Sequence, residues 1–165
     1  MKDNIQIKLN KLQEVLDTDI SLLVLLSLEK KEEDDSLINE IGKIDENLAI
    51  IYQYSDIRFG DVEFWTEEEL FDEKQFNKLF YGVHNPDEWI CIGEVQPYPL
   101  LINKRTRNVS CVISEPGLEC EMKEYGTFEQ FMDEFVLGEK YLELGTDEEW
   151  YDFMKQHNII IEYFI

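Results

Sequence analysis

The fold of this chain is decided by the stretch EWICIGEVQPYPLLINKRTRNVSCVI, residues 88–113. Its apolar segments predict three strands: Glu88–Glu94, Leu100–Asn103 and Asn108–Ile113. The segment Gln96-Pro97-Tyr98-Pro99 predicts a turn, because two prolines interrupt a strand ladder. Lys104–Arg107 is predicted as a polar loop. Connections this short join antiparallel strands, so we expect an antiparallel sheet at the centre of the molecule.

Shorter segments on both sides extend this sheet. Further strands are predicted at Ile57–Phe59, Val62–Trp65, Leu118–Met122 and Ile159–Ile165, with turns at Gly60-Asp61 and Ser114–Gly117. The last of these strands docks on a sheet edge or packs on the helices. The apolar segment Ile20–Leu28 is a strand or a buried helix, since its pattern fits both. The charged run Glu29–Asp35 is a solvated loop or a helix start.

Apolar residues at helical spacing predict the helices beside the sheet. In residues 3–17, one face is apolar (Ile5, Leu9, Leu12, Leu16) and the other faces water (Lys8, Lys11, Glu14). Two capping boxes mark helix starts: Thr66 with Glu69, and Thr127 with Gln130. The second opens a helix that ends at Gly138 and carries the inward stripe Phe128, Phe131, Met132, Phe135 and Val136. Other helices are predicted over residues 36–41 before Gly42, over 45–54, and from Thr146; residues 72–80 are helix or loop.

No linker and no internal repeat divides the 165 residues. A chain of this length buries roughly 70% of its surface on folding, so its core needs neither disulfides nor a metal. We therefore predict one α+β domain over residues 1–165, a mainly antiparallel sheet flanked by helices.

The charge of the chain restricts its partners. It has 37 acidic and 15 basic residues, a net charge of −22. This charge repels phosphate, so we expect no direct nucleic-acid binding. It also argues against docking on anionic membranes. The charge has two remaining interpretations: attraction of a basic partner, or solubility alone.

The sequence predicts a cytoplasmic location. The N-terminus lacks the apolar region of a secretory signal, and the nine residues Ile20–Leu28 are too few to span a bilayer. The three cysteines, Cys91, Cys111 and Cys120, form no CxxC pair, which suits a reducing compartment. Cys91 and Cys111 lie in apolar runs and are expected to be buried, unreactive thiols.

No motif indicates catalysis, a cofactor or a metal. Phosphate-binding glycine loops are absent, and His84 and His157 lack the spacing of zinc ligands. The acidic clusters at residues 32–35, 67–69 and 147–149 lack the calcium-loop pattern, and two of them suit helix starts. A hydrolase with a carboxylate pair stays open but has no supporting motif. We therefore expect a protein that is not an enzyme.

The order of motifs over residues 45–137 resembles the SUKH superfamily. The matching segments are Leu48–Tyr52, Ser55–Gly60, Thr66–Leu70, Trp89–Glu94, Leu100–Asn103, Val109–Val112 and Thr127–Phe131. This family includes fungal cell-wall-synthesis regulators and bacterial toxin-immunity proteins, and residues 1–44 match it poorly. The resemblance implies a SUKH-like fold.

The resemblance also implies an immunity protein that binds a secreted or contact-delivered toxin, often a basic nuclease, without doing chemistry. The alternative is a regulatory or scaffold domain, as in the fungal relatives. We expect the partner to contact acidic and aromatic residues around the sheet, because aromatic anchors ringed by charge make strong contacts. These residues are Trp65, Glu67, Glu68, Asp87, Glu88, Trp89 and Glu94. Core packing of the two tryptophans and helix capping by Glu67 and Glu68 are the competing interpretations.

Overall fold

A computed structural model describes residues 2–18, 25–31, 37–72, 86–114, 117, 120–145 and 148–160. The strands in this part of the chain form one sheet. Their order in the sheet is their order in the chain, and every neighbouring pair is antiparallel. The strands are β1 Leu26–Lys30, β2 Tyr54–Phe59, β3 Val62–Phe64, β4 Trp89–Val95, β5 Tyr98–Asn103, β6 Asn108–Ile113 and β7 Glu121–Thr127.

The described helices lie before, between and after these strands. The α-helices are α1 Lys2–Thr18, α2 Leu37–Ile44, α3 Glu46–Ile51, α4 Glu67–Leu70, α5 Phe128–Gln130 and α6 Glu148–Gln156. A π-helix, Phe131–Val136, continues α5, and 3₁₀ turns occupy Pro86–Glu88 and Tyr141–Leu144. The predicted α+β class with a mainly antiparallel sheet is confirmed.

The main core fills one face of the sheet. Strand residues Phe59 and Leu100 share a buried cluster with Leu9 of α1, Phe131 of the π-helix and Trp150 of α6. Strand side chains alternate between the two faces, and the residues that point to the other face include a second, smaller apolar cluster. This open-face cluster consists of Cys91, Leu101 and Val112, with half-buried Trp65, Trp89, Cys120 and Met122 packed against them.

Several local predictions are confirmed. Strand β6 has the predicted limits, Asn108–Ile113. Both capping boxes are present, at Thr66 and at Thr127. The inward residues of α1 are buried as expected: Ile5, Leu9, Leu12 and Leu16. These features depend on neighbours a few residues apart, so the sequence pattern is enough to predict them.

Some predicted limits are wrong. Strand β5 begins at Tyr98, and Pro99 lies opposite Glu94. Pro99 precedes the residues of β5 that pair with β6, so its missing N–H interrupts no ladder on that side. The charged run starts inside β1, because Glu29 and Lys30 pair with β2. Helix α2 runs past Gly42 to Ile44, and α3 ends at Ile51, three residues before the predicted limit.

The prediction that Lys8 faces water is also wrong. Its side chain is 15% exposed, and its Nζ donates to Asp133 Oδ1 at 2.8 Å. The same Nζ donates to the carbonyls of Asp133 and Leu137, at 3.0 and 2.9 Å. Trp150 Nε1 donates to the Val136 carbonyl at 2.9 Å. Lys8 and Trp150 thus bind carbonyls of the π-helix and of Leu137 after it. The sequence predicts an ordinary α-helix through residue 137, so this part of the prediction is wrong.

The chain does not form the predicted terminal strand at its described residues. Ile159 and Ile160 are buried in the main core, and both donate backbone hydrogen bonds to the Met154 carbonyl. Predictions for residues 19–24, 32–36, 73–85, 115–116, 118–119, 146–147 and 161–165 lie outside the described residues. No helix in the described part of the chain is both long and apolar enough to cross a membrane.

Candidate functional site

A cleft of about 670 Å³ opens where β1, β2 and β3 meet α4. Five carboxylates line it: Asp56, Glu63, Glu67, Glu68 and Glu69. Two cationic side chains, Lys31 and Arg58, line it as well. The lining therefore has an excess of negative charge, which attracts cationic groups. We call this feature the acidic cleft.

Helix α4 forms one wall of the acidic cleft. Thr66 Oγ1 accepts from the Glu69 N–H at 3.3 Å, and Glu69 Oε2 accepts from the Thr66 N–H at 3.4 Å. All three glutamates of α4 lie in its first turn, where negative charge is favourable next to unpaired N–H groups. The helical turn sends their side chains in different directions: Glu67 is buried, Glu68 is exposed and Glu69 is half-buried.

Glu67 is already engaged within the protein. Its side chain is 10% exposed, and its Oε1 forms an ion pair with Lys31 Nζ at the end of β1. Lys31 also contacts the connection between α3 and β2, because its N–H donates to the Gln53 carbonyl at 3.0 Å. The ion pair joins α4 to the edge of the sheet. Glu67 therefore belongs to the frame of the acidic cleft, whereas Glu68 faces solvent.

Trp65 joins the acidic cleft to the open-face cluster. Its N–H donates to the Ile92 carbonyl at 2.9 Å, and its carbonyl accepts from the Tyr52 hydroxyl at 2.5 Å. Its side chain packs against the open-face cluster and also lines the acidic cleft. Burial raises the pKa of Tyr52 well above its ordinary value, and the negative charge of Glu69 raises it further. The hydroxyl therefore stays protonated and can donate.

Glu94 lies next to the acidic cleft, opposite Glu63 on the neighbouring strand. Burial raises the pKa of Glu94, and the negative charges of Glu63 and Glu69 raise it further. Gln96 Nε2 donates to Glu63 Oε2 at 3.4 Å. The negative charges of Glu63 and Glu69 thus both act on Glu94. A cation placed among them would relieve that repulsion.

The other predicted residues lie at the far end of β4. Asp87 and Glu88 are exposed in the 3₁₀ turn, and Trp89 begins the strand. Trp89 and Glu94 are five positions apart along the strand, about 17 Å at 3.3 Å per residue. The predicted set therefore divides into two groups. Trp65, Glu67 and Glu68 line the acidic cleft, and Glu94 adjoins it. The second group, Asp87, Glu88 and Trp89, lies outside the lining, and Trp89 packs against the open-face cluster.

Sequence reasoning missed several residues of the acidic cleft. The predicted partner-binding set does not include Glu63 and Glu69, although the strand signal at Val62 and the capping box at Thr66 place them beside members of that set. Lys31, Tyr52 and Arg58 carry no local signal for this site. They enter it because β1 and β2 pair at the sheet edge and because the fold brings Tyr52, directly after α3, to the same cleft.

The described residues do not indicate metal or nucleophile chemistry. None of their His, Cys, Asp and Glu side chains form a group of three or more that would hold a metal ion. Burial raises the pKa of the Cys91 and Cys111 thiols to about 12 each. His157 packs against Phe153 with ring centroids 4.6 Å apart. His84 lies outside the described residues.

No family model matches this chain, and no curated protein or solved structure matches it either. Its function is therefore inferred from the acidic cleft and from the motif order of residues 45–137.

Proposed function

We propose that this chain is a non-enzymatic, cytoplasmic binding protein that captures a basic protein in the acidic cleft, as an immunity protein captures a nuclease toxin. The observation that carries the proposal is the convergence of Glu63, Glu69 and Glu94 at a cleft lined by further carboxylates. Like charges held this close oppose folding, and a cationic partner reverses the effect. The resemblance to SUKH immunity proteins supports the same partner class.

The net charge makes such capture fast. Complementary potentials raise association rates by roughly 10- to 1,000-fold at low salt. A protein with a net charge of −22 therefore attracts a basic nuclease from a distance. An immunity protein needs this speed, because it must block its toxin before the toxin acts.

The half-buried tryptophans supply the apolar part of the proposed interface. Trp65 lines the acidic cleft, and both Trp65 and Trp89 pack against the open-face cluster. Aromatic residues of this kind dominate binding energies when acidic and polar groups surround them. Glu68 beside Trp65, and Asp87 and Glu88 beside Trp89, are exposed carboxylates that would surround such contacts.

The proposal is tested with the basic domain of any large secreted protein encoded beside this gene. We expect the wild-type chain to protect a bacterial host that expresses this domain. An isolated gene, or a neighbouring domain that the chain neither binds nor neutralises, would favour the regulatory or scaffold alternative.

A pair of double variants locates the binding surface. Glu63→Lys/Glu68→Lys reverses charge at the acidic cleft, and Glu14→Lys/Asp152→Lys makes the same net change on exposed positions of α1 and α6. We expect the first to slow association by about tenfold or more and to flatten its salt dependence. The control pair should change the rate much less. Equal slowing by both pairs would show that net charge, and not the acidic cleft, drives capture.

A further inference from the structure

One hydroxyl connects α3 to the wall of the acidic cleft. Tyr52 follows the last residue of α3 and is 1% exposed. Its hydroxyl donates to the Trp65 carbonyl at 2.5 Å. Trp65 immediately precedes Thr66, the N-cap residue of α4. The bond therefore holds the chain at the point where the wall begins.

Two more contacts hold the same short segment. The Trp65 N–H donates to the Ile92 carbonyl of β4, and Glu67 pairs with Lys31 beside β1. Helix α4 has only four residues, and a helix this short is unstable by itself. Its position is therefore set by its contacts with α3, β4 and the end of β1.

Helix α3 is a firm support for this contact. Asp45 caps it, with Oδ1 accepting from the N–H groups of Asn47 and Leu48 at 2.8 and 3.2 Å. Leu48 and Ile51 are fully buried in the main core. Tyr52 thus donates from a fixed element to a segment that has little stability of its own.

We propose that Tyr52 is a positioning residue for partner recognition, which holds Trp65 and thereby places Glu68 and Glu69 for a basic partner. This inference rests on the proposed function. A preformed wall avoids the entropy cost of ordering α4 during binding. Without the hydroxyl, the wall is in the binding position for only part of the time, and the apparent affinity is the intrinsic affinity multiplied by that fraction.

The test compares Tyr52→Phe with a matched control, Tyr141→Phe. Tyr141 is also fully buried, and its hydroxyl accepts from the Asp61 N–H at 3.1 Å, outside the lining of the acidic cleft. Circular dichroism first checks that both variants fold. Binding of a fluorescein-labelled hexa-arginine peptide is then measured by fluorescence anisotropy. We expect Tyr52→Phe to weaken binding about tenfold with an unchanged salt dependence, and Tyr141→Phe to bind like the wild type.

Hydrogen exchange supplies a readout that needs no variant. In the wild type, we expect the Trp65 N–H to be protected before the peptide is added and to gain little afterwards. Protection that appears only with the peptide would show that the wall is not preformed and would overturn the inference, even if Tyr52→Phe did not fold.

The outcomes separate this inference from the proposed function. Equal binding by the wild type and both variants would overturn the positioning role and leave the acidic cleft as a site for basic partners. Equal weakening by both variants would show a general loss of stability and would also overturn it. A wild-type chain that does not bind the peptide at low salt would overturn the proposed function, and the positioning role with it.

Discussion

Replacing Lys31 by methionine should destabilise the protein more than any exposed charge change. Lys31 Nζ forms an ion pair with Glu67 Oε1, and the two side chains are 23% and 10% exposed. Methionine keeps the length of the side chain but removes the charge. Glu67 is then left as a largely buried carboxylate whose main cation is gone.

The size of the effect follows from this burial. Two unit charges about 4 Å apart attract by about 4 kcal/mol at an effective dielectric constant of about 20. Removing one partner of a buried pair typically costs about 3–5 kcal/mol. Because Lys31 keeps some contact with water, we expect the low end, about 3 kcal/mol. With a urea m-value of about 2 kcal/mol per molar, the unfolding midpoint falls by about 1.5 M.

A double-mutant cycle with Glu67→Gln isolates the pair. We expect a coupling energy of about 2 kcal/mol from urea unfolding of the four proteins. The matched control is Lys43 with Glu40 on α2, an ion pair whose side chains are 72% and 54% exposed. An exposed pair at this helical spacing contributes about 0.3–0.5 kcal/mol. The contrast between the two cycles measures burial, because the charged groups are identical.

The reasoning is refuted if the two cycles give the same coupling energy. It is also refuted if Lys31→Met lowers the midpoint no more than Lys43→Met does. Either result would mean that water reaches Glu67 and that the ion pair does not hold α4 against the sheet.

Two further predictions concern titratable groups. Burial and two neighbouring glutamates raise the pKa of Glu94 above its ordinary value of 4.5, so its ionised form opposes folding at neutral pH. Glu94→Gln should therefore stabilise the protein at pH 7, and the advantage should vanish as the pH falls below 4.5; an advantage that grows on acidification would contradict this. A pKa of about 12 in place of 9.0 leaves the Cys91 and Cys111 thiols roughly a thousandfold less ionised near pH 8. Iodoacetamide should therefore alkylate the half-buried Cys120 first in the folded protein, and all three cysteines only in urea. Mass spectrometry measures the rate at each cysteine, and equal rates at Cys120 and at Cys91 or Cys111 in the folded protein would refute this prediction.

Much of the fold was predictable because its signals are local. The capping boxes at Thr66 and Thr127 need only two residues three positions apart. The strands of residues 88–113 follow from their apolar runs and short connections, which also imply the antiparallel pairing. The apolar runs place apolar side chains on both faces of the sheet, and the structure has an apolar cluster on each face.

The acidic cleft was only partly predictable, because most of its contacts are distant in the sequence. Lys31 and Glu67 are 36 positions apart, and nothing in the sequence around either residue predicts that they form an ion pair. The apolar pattern of residues 20–28 fits a strand and a buried helix, so the sequence does not predict that β1 pairs with β2. Lys8 looked like a surface residue by helical period, yet the π-helix presents carbonyls that draw its ammonium group inward.

The sequence by itself determined the α+β class, the helix starts, the central strands and the strong negative charge. These properties depend on composition and on neighbours within one helical turn or one strand. Only the tertiary structure decided that Glu67 is held internally while Glu68 faces solvent, and that Glu63 and Glu94 lie side by side. The reason is physical: the whole core sets strand register and helix docking. A shift of one residue in strand register would move Glu63 or Glu94 to the other face of the sheet.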